Sequence, residues 1–371
     1  MYEDFKKKLL SFFQKLGNKL KIWYIVGNAI FSSMTGVERM KKTMMGMLAV
    51  ASTLALAACS NNQSAVATSK AGNVTQEEFY KALKATSGEQ TLQRLVLQKV
   101  LENNFPLQRP LIHCITNGIT KELVANVLLY VGAKPIMAED EREIESVIQV
   151  SSAVLLNIGH LTEQKEACII KAAKLANKAQ KPLVVDAVGI VGLSNRLALV
   201  QRLLDFGVTV VKGNISEMRR LAGLNSSAKG VDSVKEDQSL MELQELAHAL
   251  RKLAKTYPQT VFLATGEQDL VVTDSNCFFL KNGVDSLELF TGTGDIVGAL
   301  IAGVLGSGIE PLEATIGAIT YFNVCGEKAS SVLQQGMESF RIETCNQLSK
   351  LYNENWQEML KMEDWTNEVV R

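Results

Sequence analysis

The chain has 371 residues, 39 Lys and Arg against 39 Asp and Glu, with 47% hydrophobic and 21% charged residues, which excludes a disordered, collagen-like or coiled-coil protein. A formal net charge of zero gives no overall electrostatic pull toward nucleic acid or anionic membrane. At about 150 residues per domain, the length suits two domains or one large α/β domain with an appendage.

The first segment, residues 1–39, carries Lys6, Lys7 and Lys8, then Phe12 and Phe13, and turns apolar around Ile22 to Ile30. It is expected to be a poorly ordered leader of unknown role, a fused or misassigned gene start. Lys41 and Lys42 then precede an apolar, small-residue run from Met44 to Ala58 that ends in Leu56-Ala57-Ala58-Cys59 and is followed by polar residues. This run is too short for a comfortable transmembrane helix and has the layout of a bacterial lipoprotein signal, with Cys59 as the lipidation site. With Gly72-Asn73-Val74-Thr75-Gln76-Glu77-Glu78-Phe79-Tyr80 and an amphipathic stretch from Leu92 to Leu101, residues 40–104 resemble the start of the foldase lipoproteins with peptidyl-prolyl isomerase activity. Nothing later in the chain resembles their isomerase domain, and low order is expected throughout residues 1–104. The six cysteines, at 59, 114, 168, 277, 325 and 345, form no C-x-x-C pair and no zinc-like spacing, so no metal or redox motif is expected.

From residue 105 to 371 the pattern is one α/β domain. Short apolar runs at Ala153–Gly159, Pro182–Asp186, Val208–Asn214 and Thr260–Gly266 read as buried parallel strands. Between them, Thr162–Gln180, Ser194–Phe206 and Leu240–Thr256 carry apolar residues at helical spacing, with Thr162 and Ser194 as expected N-caps. The alternation predicts a mostly parallel sheet flanked by helices. Leu270–Thr273 and Cys277–Leu280 add a hairpin, placing antiparallel strands at one edge. Each parallel strand ends in polar or glycine residues, and in open α/β sheets that carboxyl edge binds ligands.

The chemistry concentrates at Thr291-Gly292-Thr293-Gly294-Asp295, a Gly/Thr turn running into an apolar helix. Its glycines admit a phosphate close to the backbone, and the free N–H groups at the helix start hold negative charge. Asp295 at that same start is a candidate proton acceptor for a substrate hydroxyl. In Lys212-Gly213-Asn214-Ile215-Ser216-Glu217, the N-x-x-E spacing places an amide and a carboxylate together, suited to the water shell of a nucleotide-bound magnesium ion. Lys212 offers positive charge to the same phosphates.

Together with Asp186, these segments resemble the ribokinase-like fold of small-molecule kinases. His113-Cys114-Ile115-Thr116-Asn117, Pro135-Ile136-Met137-Ala138, Leu156-Asn157-Ile158-Gly159 and Val185-Asp186-Ala187-Val188-Gly189 narrow the resemblance to hydroxyethylthiazole kinase. The resemblance implies a three-layer sandwich, the ATP- and Mg²⁺-dependent phosphorylation of the hydroxyl of 4-methyl-5-(2-hydroxyethyl)thiazole in thiamine salvage, and a cytoplasmic homotrimer binding the thiazole between subunits. It further implies thiazole contacts at Asn117, Met137 and Gly292, nucleotide contacts at Lys212 and Thr265, an anion cradle at Thr293 and Gly294, and magnesium near Asp186, Asn214 and Glu217. His113 is expected to be structural.

Several positions depart from the family pattern. Asp295 stands where members often have Cys, and is expected to be the more fully ionised base at neutral pH. Lys212 replaces the usual Arg, and the run Ile190 to Arg196 differs from the family's loop beside the thiazole. The H-C-I-T-N and P-I-M-A segments argue against two enzymes of the same fold, the hydroxymethylpyrimidine kinases and the nucleotide-hydrate dehydratases. The absence of G-x-G-x-x-G after the first strand argues against a dinucleotide oxidoreductase. An exported, membrane-anchored lipoprotein with an inactive kinase-like domain is the alternative reading.

Overall fold

The computed structural model describes residues 65–69, 72–75, 81, 88–102, 105–225, 239–332 and 336–367. The expectations for the leader at 1–39 and for the signal-like run ending at Cys59 lie outside the described residues. The chain divides into two compact units, Met1–Gly88 and Glu89–Arg371. In the first, β1 (Ala65–Ser69) and β2 (Gly72–Thr75) pair as an antiparallel hairpin.

The second unit starts ahead of the expected boundary at 105. Helix α1 (Gly88–Leu101) buries Leu97 and Leu101 in the same core cluster as Phe105, while Leu92, Leu95 and Val96 face solvent. The amphipathic stretch from Leu92 to Leu101 is therefore part of the α/β unit, because its apolar positions find their partners there.

The strands that follow are β3 (Leu111–Ile115), β4 (Lys134–Ile136), β5 (Ala153–Asn157), β6 (Leu183–Asp186), β7 (Val210–Asn214), β8 (Val261–Thr265), β9 (Asp269–Val272), β10 (Cys277–Leu280) and β11 (Met362–Asp364). They form one sheet in the order β11-β10-β9-β8-β7-β6-β5-β3-β4. Pairing is parallel from β4 through β8 and antiparallel for β8–β9, β9–β10 and β10–β11. The hairpin thus sits toward one edge, as its short polar turn predicts.

Side chains alternate between the two faces with the period of two that a strand imposes. Ile112, Cys114, Leu155, Val184, Val210 and Leu263 point into one core, and Val154, Leu156, Val185, Val211 and Phe262 into the other. The first face is covered by α2 (Lys121–Tyr130), α8 (Thr293–Gly306), α9 (Pro311–Val332) and α10 (Met337–Leu348). The second is covered by α3 (Ile144–Val150), α4 (Glu163–Lys178), α5 (Ser194–Leu204), α6 (Ile215–Leu221) and α7 (Leu240–Thr256). Burial on both faces is why the strands read as continuous apolar runs.

Thr162 caps α4, its Oγ1 accepting from Lys165 N at 3.2 Å, and Ser239 caps α7 in the same way. Ser194 does not cap α5. It is the first helical residue, because Arg196 N and Leu197 N already bond to Leu193 O and so begin the ladder one residue earlier.

Two features aim the fold at one place. The chain runs from β3 outward to β4, then returns to β5 on the other side of β3 and proceeds through β6 and β7. That reversal opens a crevice at the carboxyl ends of β3 and β5. Helix α8, buried almost throughout, lies across β3, β5, β6 and β7. Added Cβ atoms at Gly298 and Gly306 would lie 3.2 Å from Leu155 and 2.8 Å from Ile112, so the missing side chains let the helix close onto the strands. Among the described residues, no helix is long and apolar enough to cross a membrane.

Candidate active site

The turn before α8 requires glycine for two reasons. Gly292 has φ +103°, and a Cβ there would stand 2.7 Å from Leu123 Cδ2 and 3.0 Å from Thr120 Cγ2. The chain then enters α8, with Thr293, Gly294 and Asp295 in its first turn, where backbone N–H groups lack intrahelical partners. A Cβ on Gly294 would lie 3.3 Å from Lys212 Nζ, so the ammonium stands directly beside the predicted cradle.

Asp295 is held by two amides from the strand ends. Asn117 Nδ2, just beyond β3, donates to Asp295 Oδ1 at 2.9 Å, and Asn157 Nδ2, the last residue of β5, donates to the same oxygen at 2.7 Å. Asn117 is itself oriented by Ile119 N and Thr120 N, which donate to its Oδ1 at 3.0 and 3.1 Å. Asn157 Nδ2 also donates to Asp186 Oδ2 at 2.9 Å, and its Oδ1 accepts from Gly159 N at 2.8 Å. Lys212 Nζ completes the chain on Asp186 Oδ1 at 2.7 Å, with the two side chains only 3% and 2% exposed.

Burial, reinforced by the charge of Asp186, pushes the Asp295 carboxyl up to about 6, against the pull of Lys212 and its hydrogen-bond donors. The expectation of an unperturbed Asp needs that correction, while the expectation that it is more fully ionised at neutral pH than a Cys would be stands. The carboxylate still predominates at neutral pH, but as a stronger base than an exposed Asp. Lys165, at the start of α4, joins the segments bearing the two asparagines: its Nζ donates to Thr116 O at 2.8 Å and to Gly159 O at 2.7 Å.

Asn214 and Glu217 do come together, as a reciprocal capping box on α6. Asn214 Oδ1 accepts from Glu217 N at 2.9 Å, and Glu217 Oε2 accepts from Asn214 N at 2.8 Å. The other oxygen, Oε1, accepts from Gly189 N at 2.6 Å. Desolvation raises the Glu217 carboxyl to about 7 despite these donors. Among the described residues, no group of three or more His, Cys, Asp or Glu could hold a metal ion. Glu217's two oxygens and the Asn214 amide oxygen accept from backbone N–H groups, and an ion that carries nucleotide phosphates needs only one or two protein carboxylates. Asp186 Oδ2 accepts from Asn157 and Oδ1 from Lys212, and a carboxylate oxygen has a second lone pair for the waters of an ion carried by phosphates.

Thr265 ends β8 in register with Asn214 on β7, and its Oγ1 donates to Gly213 O at 3.3 Å. The turn after it is held by buried Asp269, which accepts from Gly266 N at 3.1 Å and Asn323 Nδ2 at 2.7 Å. Met137 follows the edge strand β4, half-buried against the core. His113 is buried, bonds through Nε2 to Ala138 O at 2.9 Å, and has its pKa lowered by desolvation, consistent with a neutral structural imidazole.

A profile of the hydroxyethylthiazole kinase family matches residues 103–354. The chain belongs to the hydroxyethylthiazole kinase family. It is 48% identical over 262 residues to a hydroxyethylthiazole kinase of Enterococcus faecalis, covering 70% of this chain and 96% of that one. It is 44% identical over 267 residues to a hydroxyethylthiazole kinase 2 of Streptococcus pneumoniae, covering 71% and 98%. Among solved structures, a hydroxyethylthiazole kinase protein from Pyrococcus horikoshii superposes with TM-score 0.63 at 31% identity, over 72% of this chain and 98% of that chain. A ribokinase-like superfamily protein from Enterococcus faecalis, at TM-score 0.50 and 16% identity, shares the fold alone.

For this family member, Asn157 and Lys165 are the site residues that sequence reasoning left without a role. Asn157 was visible as a polar residue closing an apolar strand, which locates it at the ligand edge. Nothing local reveals its two carboxylate partners. Lys165 lies in an ordinary first helical turn and carries no sequence signal.

Proposed function

We propose that the chain transfers the terminal phosphoryl group of ATP to the hydroxyl of hydroxyethylthiazole, with Asp295 accepting the hydroxyl proton. The observation that carries this reading is a half-buried carboxylate in the first turn of a glycine-led helix, held by amides at 2.9 and 2.7 Å. Kinase activity itself follows from membership of the family. The assignment of roles rests on the geometry.

Phosphoryl transfer calls for positioning and charge stabilisation more than covalent chemistry. The substrate oxygen attacks the terminal phosphorus in line, the bond from phosphorus to the bridging oxygen breaks, and ADP leaves with that electron pair. The hydroxyl proton passes to a carboxylate oxygen of Asp295. Backbone N–H groups of the Gly292–Gly294 turn, with Thr293 in it, face the transferring oxygens, and Lys212 beside Gly294 adds positive charge. Thr265 and the turn behind it take the nucleotide, and Met137, Asn117 and Gly292 take the thiazole. Magnesium, when brought with ATP, neutralises phosphate charge, and Asp186 would hold its waters. Glu217 and Asn214 shape the Gly189 loop.

The homotrimer belongs to the same proposal. Ile119 and Leu289, 66% and 65% exposed, flank the Asn117 and Gly292 segments and offer apolar surface for a neighbouring subunit. A cytoplasmic location accords with the use of ATP.

The decisive experiment offers the purified protein ATP and Mg²⁺ with hydroxyethylthiazole or hydroxymethylpyrimidine, and follows each phosphorylated product. Preference for the thiazole is the expected result. Turnover of the pyrimidine alone, or of neither by folded protein, would overturn the reading. Sedimentation of the same sample tests the trimer.

A further inference from the structure

We propose that the side-chain amide of Asn157 is the positioning group that fixes Asp295 relative to Asp186, tying the proton-accepting half of the site to the half that faces phosphate. This rests on the reading of Asp295 as the proton acceptor. The amide nitrogen carries two hydrogens, and the two carboxylates take one each, Asp186 Oδ2 at 2.9 Å and Asp295 Oδ1 at 2.7 Å. The amide oxygen accepts from Gly159 N at 2.8 Å. That third bond sets the orientation. A flipped amide would aim its oxygen at two carboxylates and leave the Gly159 N–H facing a donor.

Asn157 and Asp186 are protected from water, each 1% exposed, and Asp295 is half-buried beside them. A neutral side chain with paired donors is what two neighbouring carboxylates require. A third carboxylate would add repulsion in a region of low dielectric, and an alkyl group would leave both acceptors short of a partner. Asn157 also sits on the last residue of a central parallel strand, a stiffer mount than the loops that carry many ligand contacts.

Gly159 offers an independent handle. A Cβ there would lie 2.8 Å from Asn157 Oδ1, so one added methyl presses on the Asn157 amide, while Asn117 Cβ at 3.4 Å is at ordinary contact. Gly159→Ala thus disturbs the positioning without removing a polar group.

The test compares Asn157→Ala, Gly159→Ala, Asp295→Ala and the double variant Asn157→Ala/Asp295→Ala in steady-state kinetics, with thermal melts as fold controls. Asn157→Ala should lower kcat about 10²-fold, with KM for thiazole and ATP within about threefold of wild type, as expected when geometry rather than binding is lost. Gly159→Ala should lower kcat about tenfold with the same flat KM, and it carries the test should Asn157→Ala fail to fold. In the Asp295→Ala background the Asn157 change should cost less than about threefold, because the group it positions is gone. Wild-type kcat in Asn157→Ala or Gly159→Ala, a loss confined to KM, or an equal cost in both backgrounds would overturn the proposal. Wild-type turnover by Asp295→Ala would instead overturn the reading of the base, so the two failures are told apart.

Discussion

Lys212→Met removes the ammonium that stands 2.7 Å from Asp186 Oδ1 while nearly preserving side-chain length. With the partners 3% and 2% exposed, water cannot replace the lost contact, and Asp186 is left as a buried, unpaired carboxylate. Breaking a buried pair from one side costs about 3–5 kcal/mol. At about 2–4 °C per kcal/mol for a large domain, the melting temperature should fall by about 6–20 °C. The double variant Lys212→Met/Asp186→Asn should recover most of that loss, because the amide carries no charge and keeps an acceptor for Asn157. Raising the salt from 0.1 to 1 M should leave the deficit largely in place, since ions screen exposed pairs far more than buried ones. Turnover should be lost in both variants, as the ammonium also stands beside Gly294. Calorimetry on the three proteins at both salt concentrations measures the effect. A single variant melting within about 2 °C of wild type, or a double variant no more stable than the single, would refute the reasoning.

Asp295→Ala should fold normally and lose about 10² to 10⁴ in kcat, and retained turnover would exclude it as the base. Because the acceptor must be ionised and its carboxyl is pushed up to about 6, kcat/KM should fall about tenfold per pH unit below that value. An acidic limb near 4 would mean that burial does not perturb the group. Stability should also depend on pH. Asp269 and Glu217 are raised to about 7 and Asp295 to about 6, so the folded state holds more protons than the unfolded chain between the ordinary carboxylate range and neutrality. Stability from these groups therefore declines as pH rises through that window. The melting temperature should be lower at pH 8 than at pH 5.5, and Asp269→Asn should reduce the difference; a higher melting temperature at pH 8 would contradict the sign. Gly292→Ala should cost about 1–2 kcal/mol for φ +103° and about 1–3 kcal/mol more for the contacts with Leu123 and Thr120. A melt unchanged from wild type would show that the turn relaxes freely.

Much of this protein was legible in one dimension. Apolar runs bounded by polar residues located β5 through β8, the three-residue turn after Thr273 located the hairpin, and helical spacing located α4, α5 and α7. The Gly/Thr turn entering α8 was legible as a candidate anion cradle before any strand order was known, because its glycines and free N–H groups are local properties of the chain. The domain boundary was less visible. The heptad-scale pattern in α1 states that one face is apolar, but not that the face packs with Phe105.

The tertiary structure alone decided which of the predicted polar residues meet, and what each is left free to do. Asn157 and Asp295 lie 138 positions apart, and Asn117 and Asp295 lie 178 apart. They touch because parallel crossovers bring the carboxyl ends of β3 and β5 side by side and lay the start of α8 over them. The same packing closed both Glu217 oxygens onto backbone N–H groups, turned Lys212 inward to Asp186, and raised the Asp295 carboxyl by taking it out of water. Periodicity and turn chemistry are written in neighbouring residues, so sequence determines them directly. Partnership and desolvation depend on what the folded chain brings from elsewhere.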